Sequence, residues 1–164
     1  MANESSMVIS GRMKLDSHAD TIVLGNNAII LQYTNRECDF SPYADSYEPI
    51  RNAPIVTGAT AVTSLATGET LILVFHEAIW MGSQLDFSLH NLNQLQHHGV
   101  IVQDNPYADM SLHIASVDNT FVMPMQTEGT AIFFDSRTPT NFGGHNFADG
   151  TVLVIHWQTH VCCQ

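Results

Sequence analysis

Apolar residues in this chain fall in short runs broken by Gly, Asn, Asp and Pro, and most of the runs are rich in β-branched and aromatic side chains. Ile22-Val23-Leu24 and Ala28-Ile29-Ile30-Leu31 flank a Gly25-Asn26-Asn27 turn signal. Ile55 to Val62 and Thr70 to Trp80 read as two long strands. Ser64-Leu65-Ala66-Thr67-Gly68-Glu69 between them has the composition of a hairpin connection. Gly99 to Gln103 reads as a strand stopped by Asp104-Asn105-Pro106. Ser111 to Ser116 and Thr120 to Met125 read as a second hairpin across Val117-Asp118-Asn119, and Thr130 to Phe134 as a further strand. Only Ser88 to His97 departs from this pattern. Leu89, Leu92 and Leu95 recur at helical spacing and Gly99 follows as a stop, which predicts one short helix. After Thr138-Pro139-Thr140 the chain turns loop-like through Asn141-Phe142-Gly143-Gly144-His145-Asn146, with a last strand expected over Thr151 to His156. Strands of this length and spacing predict a mostly β barrel or sandwich with one helix. No internal repeat or low-complexity tract is present.

Composition narrows the function classes. The 164 residues suit one domain with a sizeable core, and 45% apolar against 13% charged residues excludes wholesale disorder. Five basic residues face sixteen acidic ones, for a net charge of −11. Arg12, Lys14, Arg36, Arg51 and Arg137 are scattered, so direct binding to nucleic acid is not expected. No apolar run is long enough to cross a bilayer, and Met1 to Ser6 has no signal-peptide pattern. Cys38, Cys162 and Cys163 are odd in number and include a vicinal pair, which suggests a reducing compartment rather than a disulfide framework.

The stretch with the clearest chemistry is Leu15-Asp16-Ser17-His18-Ala19-Asp20-Thr21, between an apolar-bearing run and Ile22-Val23-Leu24. An aspartate presented from a tight turn between strands is how an aspartic peptidase offers its carboxylate. That chemistry needs two carboxylates sharing one proton, one activating a water and the other donating to the scissile carbonyl. The pair titrates as a unit. The chain has no second Asp-Ser/Thr-Gly motif, so two copies would have to bring their Asp16 residues together across a two-fold axis. Ser17 is then expected to lock the turn, Ala19 to pack below it, and Asp20 to bond its own backbone or stand as an extra acid. Asp and Ser also favour ordinary turns, so the motif alone is weak.

The wider pattern resembles the aspartic peptidase domain of copia-type (Ty1/copia, Pseudoviridae) retrotransposon polyproteins, in the branch written Asp-Ser-His-Ala-Asp-Thr. The residues that carry it are Leu15 to Thr21, Ser41-Pro42-Tyr43, Ala59-Thr60-Ala61-Val62, Thr67-Gly68-Glu69-Thr70 and Ile72-Leu73-Val74-Phe75. It continues through Ser88-Leu89-His90-Asn91-Leu92-Asn93-Gln94-Leu95, His98-Gly99-Val100 and Thr127-Glu128-Gly129-Thr130. The resemblance covers 13–140, leaving an N-terminal extension over 1–12 and a tail over 141–164. It implies a small closed retropepsin-like (acid protease) barrel with one short helix that works as a two-fold homodimer. It also implies an endopeptidase that processes a retrotransposon polyprotein without cofactor or metal, in the cytoplasm or within virus-like particles. Asp16 would be the catalytic residue, and Ser17, His18, Ala19, Asp20 and Thr21 the active-site turn. Asp39 to Pro49 would be the flap, with Tyr43 or Tyr47 shielding substrate. The departure from the common motif is His18 in place of Gly, which adds bulk and a titratable ring beside the carboxylate. A chain that keeps the fold and the dimer as an inactive binding module is the alternative this substitution raises.

A third reading uses the same residues differently. Asp16, His18 and Asp20 alternate, and on an extended strand they would share a face and suit zinc or manganese in a metal-dependent hydrolase. His156, His160, Cys162 and Cys163 form a metal-capable cluster near the chain end, with a spacing that matches no standard finger. His97-His98 is expected at a helix C-terminus, and His76 and His113 as surface or core residues of strands.

Overall fold

The computed structural model describes residues 7–17, 19–41, 48–64, 68–140 and 152–157. The expected mostly β chain with one short helix is what forms. The strands are β1 (Ser10–Leu15), β2 (Val23–Gly25), β3 (Ile29–Phe40), β4 (Ile50–Thr63), β5 (Thr70–Gly82) and β6 (Phe87–His90). Helix α1 (Leu92–His97) follows. Then come β7 (Ile101–Gln103), β8 (His113–Ala115), β9 (Val122–Pro124), β10 (Gln126–Glu128), β11 (Ala131–Arg137) and β12 (Val152–Trp157).

Six strands pair in the order β11-β1-β6-β2-β5-β4, and β4 meets β11 again at Ala61 and Arg137, so the ladder returns on itself. The β1–β6 and β2–β5 contacts are parallel and the others antiparallel. The β4–β11 contact is a single residue pair, and the same edges of β4 and β11 otherwise pair with β3 and β10. Arg137 ties the seam: its guanidinium donates to Thr63 Oγ1 at 2.7 Å and Thr70 Oγ1 at 3.4 Å. Three strands lie outside the ring, β3 on β4, β10 on β11 and β12 on β5. A second sheet, β7-β8-β9, turns Val102, Ile114 and Met123 onto the main core together with Leu95 of the helix.

That core contains Met13, Leu24, Val56, Leu73, Phe75 and Phe134, all nearly or wholly buried. Strands β4 and β5 are covered on both faces, because Ala59, Ala61, Ile72 and Val74 form another buried cluster with Ile29 and Leu31. This explains why their sequences read as near-continuous apolar runs rather than alternations.

The ring also encloses polar groups. Asn27, Ser88 and Thr60 have no exposed surface. The Asn27 amide donates to Ser136 Oγ at 2.6 Å and to the Arg12 carbonyl at 3.3 Å, and its oxygen accepts from Ser88 Oγ at 2.7 Å. Ser88 Oγ in turn accepts the Gly25 N–H at 2.9 Å. Thr60 Oγ1 lies 2.8 Å from the Asn27 carbonyl and 3.0 Å from that of Arg137. Gly25 is required at its place, since a Cβ there would stand 2.0 Å from the Phe87 carbonyl oxygen.

Several boundaries differ from those the sequence predicts. The helix is not Ser88 to His97: Phe87–His90 is a strand and only Leu92–His97 is helical. Ser88 and His90 are buried between β1 and β2, and the Asn91 side chain caps the helix by accepting from the N–H groups of Asn93 and Gln94. Strands β3 and β4 run far past Leu31 and Ile55 toward a shared tip, as one long antiparallel hairpin. β1 begins at Ser10, three residues ahead of Met13, so part of the 1–12 segment belongs to the sheet. The expected last strand is present as β12, parallel to β5. The two hairpins expected over residues 55–80 and 111–125 are both antiparallel pairs.

Asn27→Ala removes two donors and an acceptor from a buried network and strands the Ser88 and Ser136 hydroxyls. Urea unfolding is expected to show a loss of about 3 kcal/mol. A loss within the error of the extrapolation would mean that the strands hold their register without it.

Candidate functional site

Asp16 directly follows β1, and its backbone N–H donates to the His90 carbonyl at 3.0 Å, one step beyond the parallel β1–β6 ladder. The chain then turns, with the Ala19 N–H donating to the Asp16 carbonyl at 3.4 Å. Asp16 is half-buried, Ser17 and Asp20 are exposed, and Ala19 and Thr21 are half-buried. Asp16, Ala19, Asp20 and Thr21 line a groove of about 560 Å³ with Val23, Phe40, Ser41, Ile79 and Leu89. Its walls belong to an apolar cluster that runs under the β3–β4 hairpin through Cys38, Ala53, Ile55 and Met81. The groove thus joins a carboxylate-bearing turn to an apolar wall, with the end of β3 as one side. Its lining contains no lysine or arginine.

Helix α1 holds the turn from behind. The Asn91 amide donates to the Ala19 carbonyl, the Asn93 amide to the Ser17 carbonyl at 3.2 Å, and the Gln94 amide to the Asp20 carbonyl at 3.3 Å. Three carbonyls of one turn are therefore fixed by side chains from a single helical segment. Asn91 is bifunctional, because its oxygen caps α1 while its nitrogen holds the turn. Among the described residues Thr21 Oγ1 is buried without a hydrogen bond on the groove wall.

His90, next to the turn, is fully buried with its ring edge-on to Phe75 (centroids 5.1 Å apart) and Phe134 (6.2 Å). Burial lowers its pKa to about 3, so the ring is neutral at neutral pH.

The structure brings Asp16, Ala19, Asp20 and Thr21 to one groove, while Ser17 is exposed, is not among the lining residues and offers its carbonyl to Asn93. His18, Tyr43 and Tyr47 lie outside the described residues, as do residues 42–47 of the expected flap. The described ends of that segment are stapled: Asp39 accepts the Asn52 N–H at 2.8 Å and pairs with Arg51 at 3.6 Å. Among the described residues no three His, Cys, Asp or Glu side chains cluster as metal ligands. His160, Cys162 and Cys163 of the expected tail cluster lie outside the described residues. The clamp of Asn91, Asn93 and Gln94 was not foreseen. Three amide side chains in the four residues 91–94 are its signal in the sequence. No family model matches the chain, no curated protein matches it, and no solved structure matches it. Among the described residues no helix is long and apolar enough to cross a membrane.

Two outcomes follow from this geometry. Because the folded-state pKa of His90 is depressed, the unfolded chain binds the extra proton first. The stability that His90 contributes is complete above its ordinary pKa of about 6.5 and is lost as pH falls toward about 3. Thermal unfolding at pH 7, 5.5 and 4.5 should therefore show a steep decline that His90→Phe flattens; parallel curves would refute the assignment. Asn91→Asp keeps the helix-capping acceptor and removes the amide that holds Ala19. It should cost about 1–3 kcal/mol and speed hydrogen exchange at Asp16 and Ala19, while a protection pattern like the parent's would show that the turn is fixed without it.

Proposed function

We propose that this chain is an aspartic endopeptidase of the copia-type retrotransposon class, working as a homodimer in which two Asp16 carboxylates share a proton and activate a water. The observation that carries this reading is the position of Asp16. It stands at a strand end, in a turn fixed by a neighbouring strand and by helix side chains, and opens onto a groove whose other wall is apolar. An extended peptide fits such a groove, with apolar side chains against Val23, Phe40, Ile79 and Leu89 and main-chain groups toward Thr21 and Asp20. The returning ladder of strands supports the retropepsin-like barrel, and the long β3–β4 hairpin, with Phe40 and Ser41 at the groove, supports a flap. The partial exposure of Asp16 leaves it open to a second copy.

In this mechanism one Asp16 is ionised and takes a proton from the water as it attacks. The other is protonated and donates to the carbonyl oxygen, so negative charge is spread over the pair. Fixing the carbonyls of residues 17, 19 and 20 keeps the two carboxylates near one plane through the reaction. His18 is two positions from Asp16 in the sequence, and a positive ring close to the pair would favour the doubly ionised, inactive state.

The test is hydrolysis of a mixed peptide library between pH 4 and pH 7 by the protein and by Asp16→Asn, with and without chelator, alongside sedimentation. Cleavage by the parent that survives chelator, falls by at least about 10³-fold in Asp16→Asn and tracks the dimer fraction is the expected result. A dimer without cleavage would leave the inactive binding module in its place. Cleavage abolished by chelator would favour a metal-dependent hydrolase.

A further inference from the structure

We propose that His76 and His156 form a binding site for a divalent first-row metal ion of the zinc class, on the outer face of the sheet and separate from the Asp16 groove. His76 lies on β5 and His156 on β12, and these strands run parallel with His156 in register with Val74. Residues two apart on a strand share a face, so His76 and His156 sit diagonally across the same ladder. Their Nε2 and Nδ1 atoms are 2.9 Å apart, with the rings 18° from parallel. Two nitrogens bound to one tetrahedral zinc at about 2.0–2.1 Å stand about 3.3–3.4 Å apart, so a few tenths of an ångström of opening and a turn of the exposed His156 ring bring both lone pairs onto one ion.

In the metal-free protein one ring donates an N–H to the other. The donor ring accepts a metal by moving that hydrogen to its other nitrogen, so each imidazole binds as the neutral ligand. His76 is held by a rigid strand, whose carbonyl at that residue accepts Thr57 Oγ1 at 3.0 Å. His156 is exposed, which leaves coordination positions open beyond the pair. The net charge of −11 favours cation binding over the whole molecule.

The test uses the full chain, reduced and stripped of metal, titrated with Zn²⁺ and separately with Co²⁺. The expected result is one ion per chain and a thermal midpoint raised by Zn²⁺ and restored by chelator. His76→Gln and His156→Gln should each weaken binding at least about tenfold, since losing even a partner of a ligand costs 10–100-fold. His97→Gln, at an exposed histidine elsewhere, should change nothing. In the parent protein, Co²⁺ should shift the ring proton resonances of His76 and His156 before those of His97, a readout that needs no variant. Undiminished Zn²⁺ binding in His76→Gln, equal loss in His97→Gln, or no binding at all would each overturn the proposal. Peptide cleavage that resists chelator is compatible with this site, so its failure and that of the peptidase reading are separately visible.

Discussion

The side-chain amide of Asn27 is wholly buried and ties together strands that are far apart in the sequence. Directly or through Ser88 and Ser136 it reaches β1, β2, β6 and β11, and the backbone carbonyl of the same residue accepts from Thr60 of β4. Hydrophobic burial favours a closed ring but does not discriminate between registers that bury similar area. A buried amide does, because a slip by two residues, which keeps each side chain on its face, would leave donors and acceptors unpaired in an apolar interior. With its register set this way, the end of β1 comes level with His90, and Asp16 falls one residue beyond the last ladder pair.

The Asp16 turn is thereby referred to two frames at once. One is the sheet, through the Asp16 N–H. The other is the segment 91–94, which follows β6 without a loop. Because β6 and α1 are continuous, movement of the helix is coupled to the strand that aligns Asp16. A catalytic carboxylate gains from such doubled support, since a small misplacement is costly to reactions that depend on orientation.

Much of the sheet was legible in the sequence, and the illegible parts have physical reasons. β4, β5, β8, β9 and β11 announce themselves because β-branched and aromatic runs are bounded by turn residues. The outer half of β3, from Gln32 to Glu37, is polar and lies at the sheet's edge, so no periodicity marks it. β6 was hidden in a helical pattern because Leu89, Leu92 and Leu95 share spacing without sharing a face. Leu89 lines the groove while Leu92 and Leu95 are buried, Leu95 in the main core. Asn27 reads as a turn residue because its partners Ser88 and Ser136 are 61 and 109 positions away. Asp16 was legible because its motif is local. The groove that gives it an environment is assembled from four distant segments, which no local pattern reports.

The long β3–β4 hairpin carries a further consequence. Among the described residues β3 has no partner on its outer side, and its pairing with β4 is interrupted by irregularities at three places. Asn35 on β3 and Asn52 on β4 both adopt left-handed backbone conformations. An edge bent and twisted in this way offers no straight row of N–H and C=O groups to an incoming chain. The hairpin can therefore be long without its outer edge becoming a template for fibrous self-association, even where copies are crowded together.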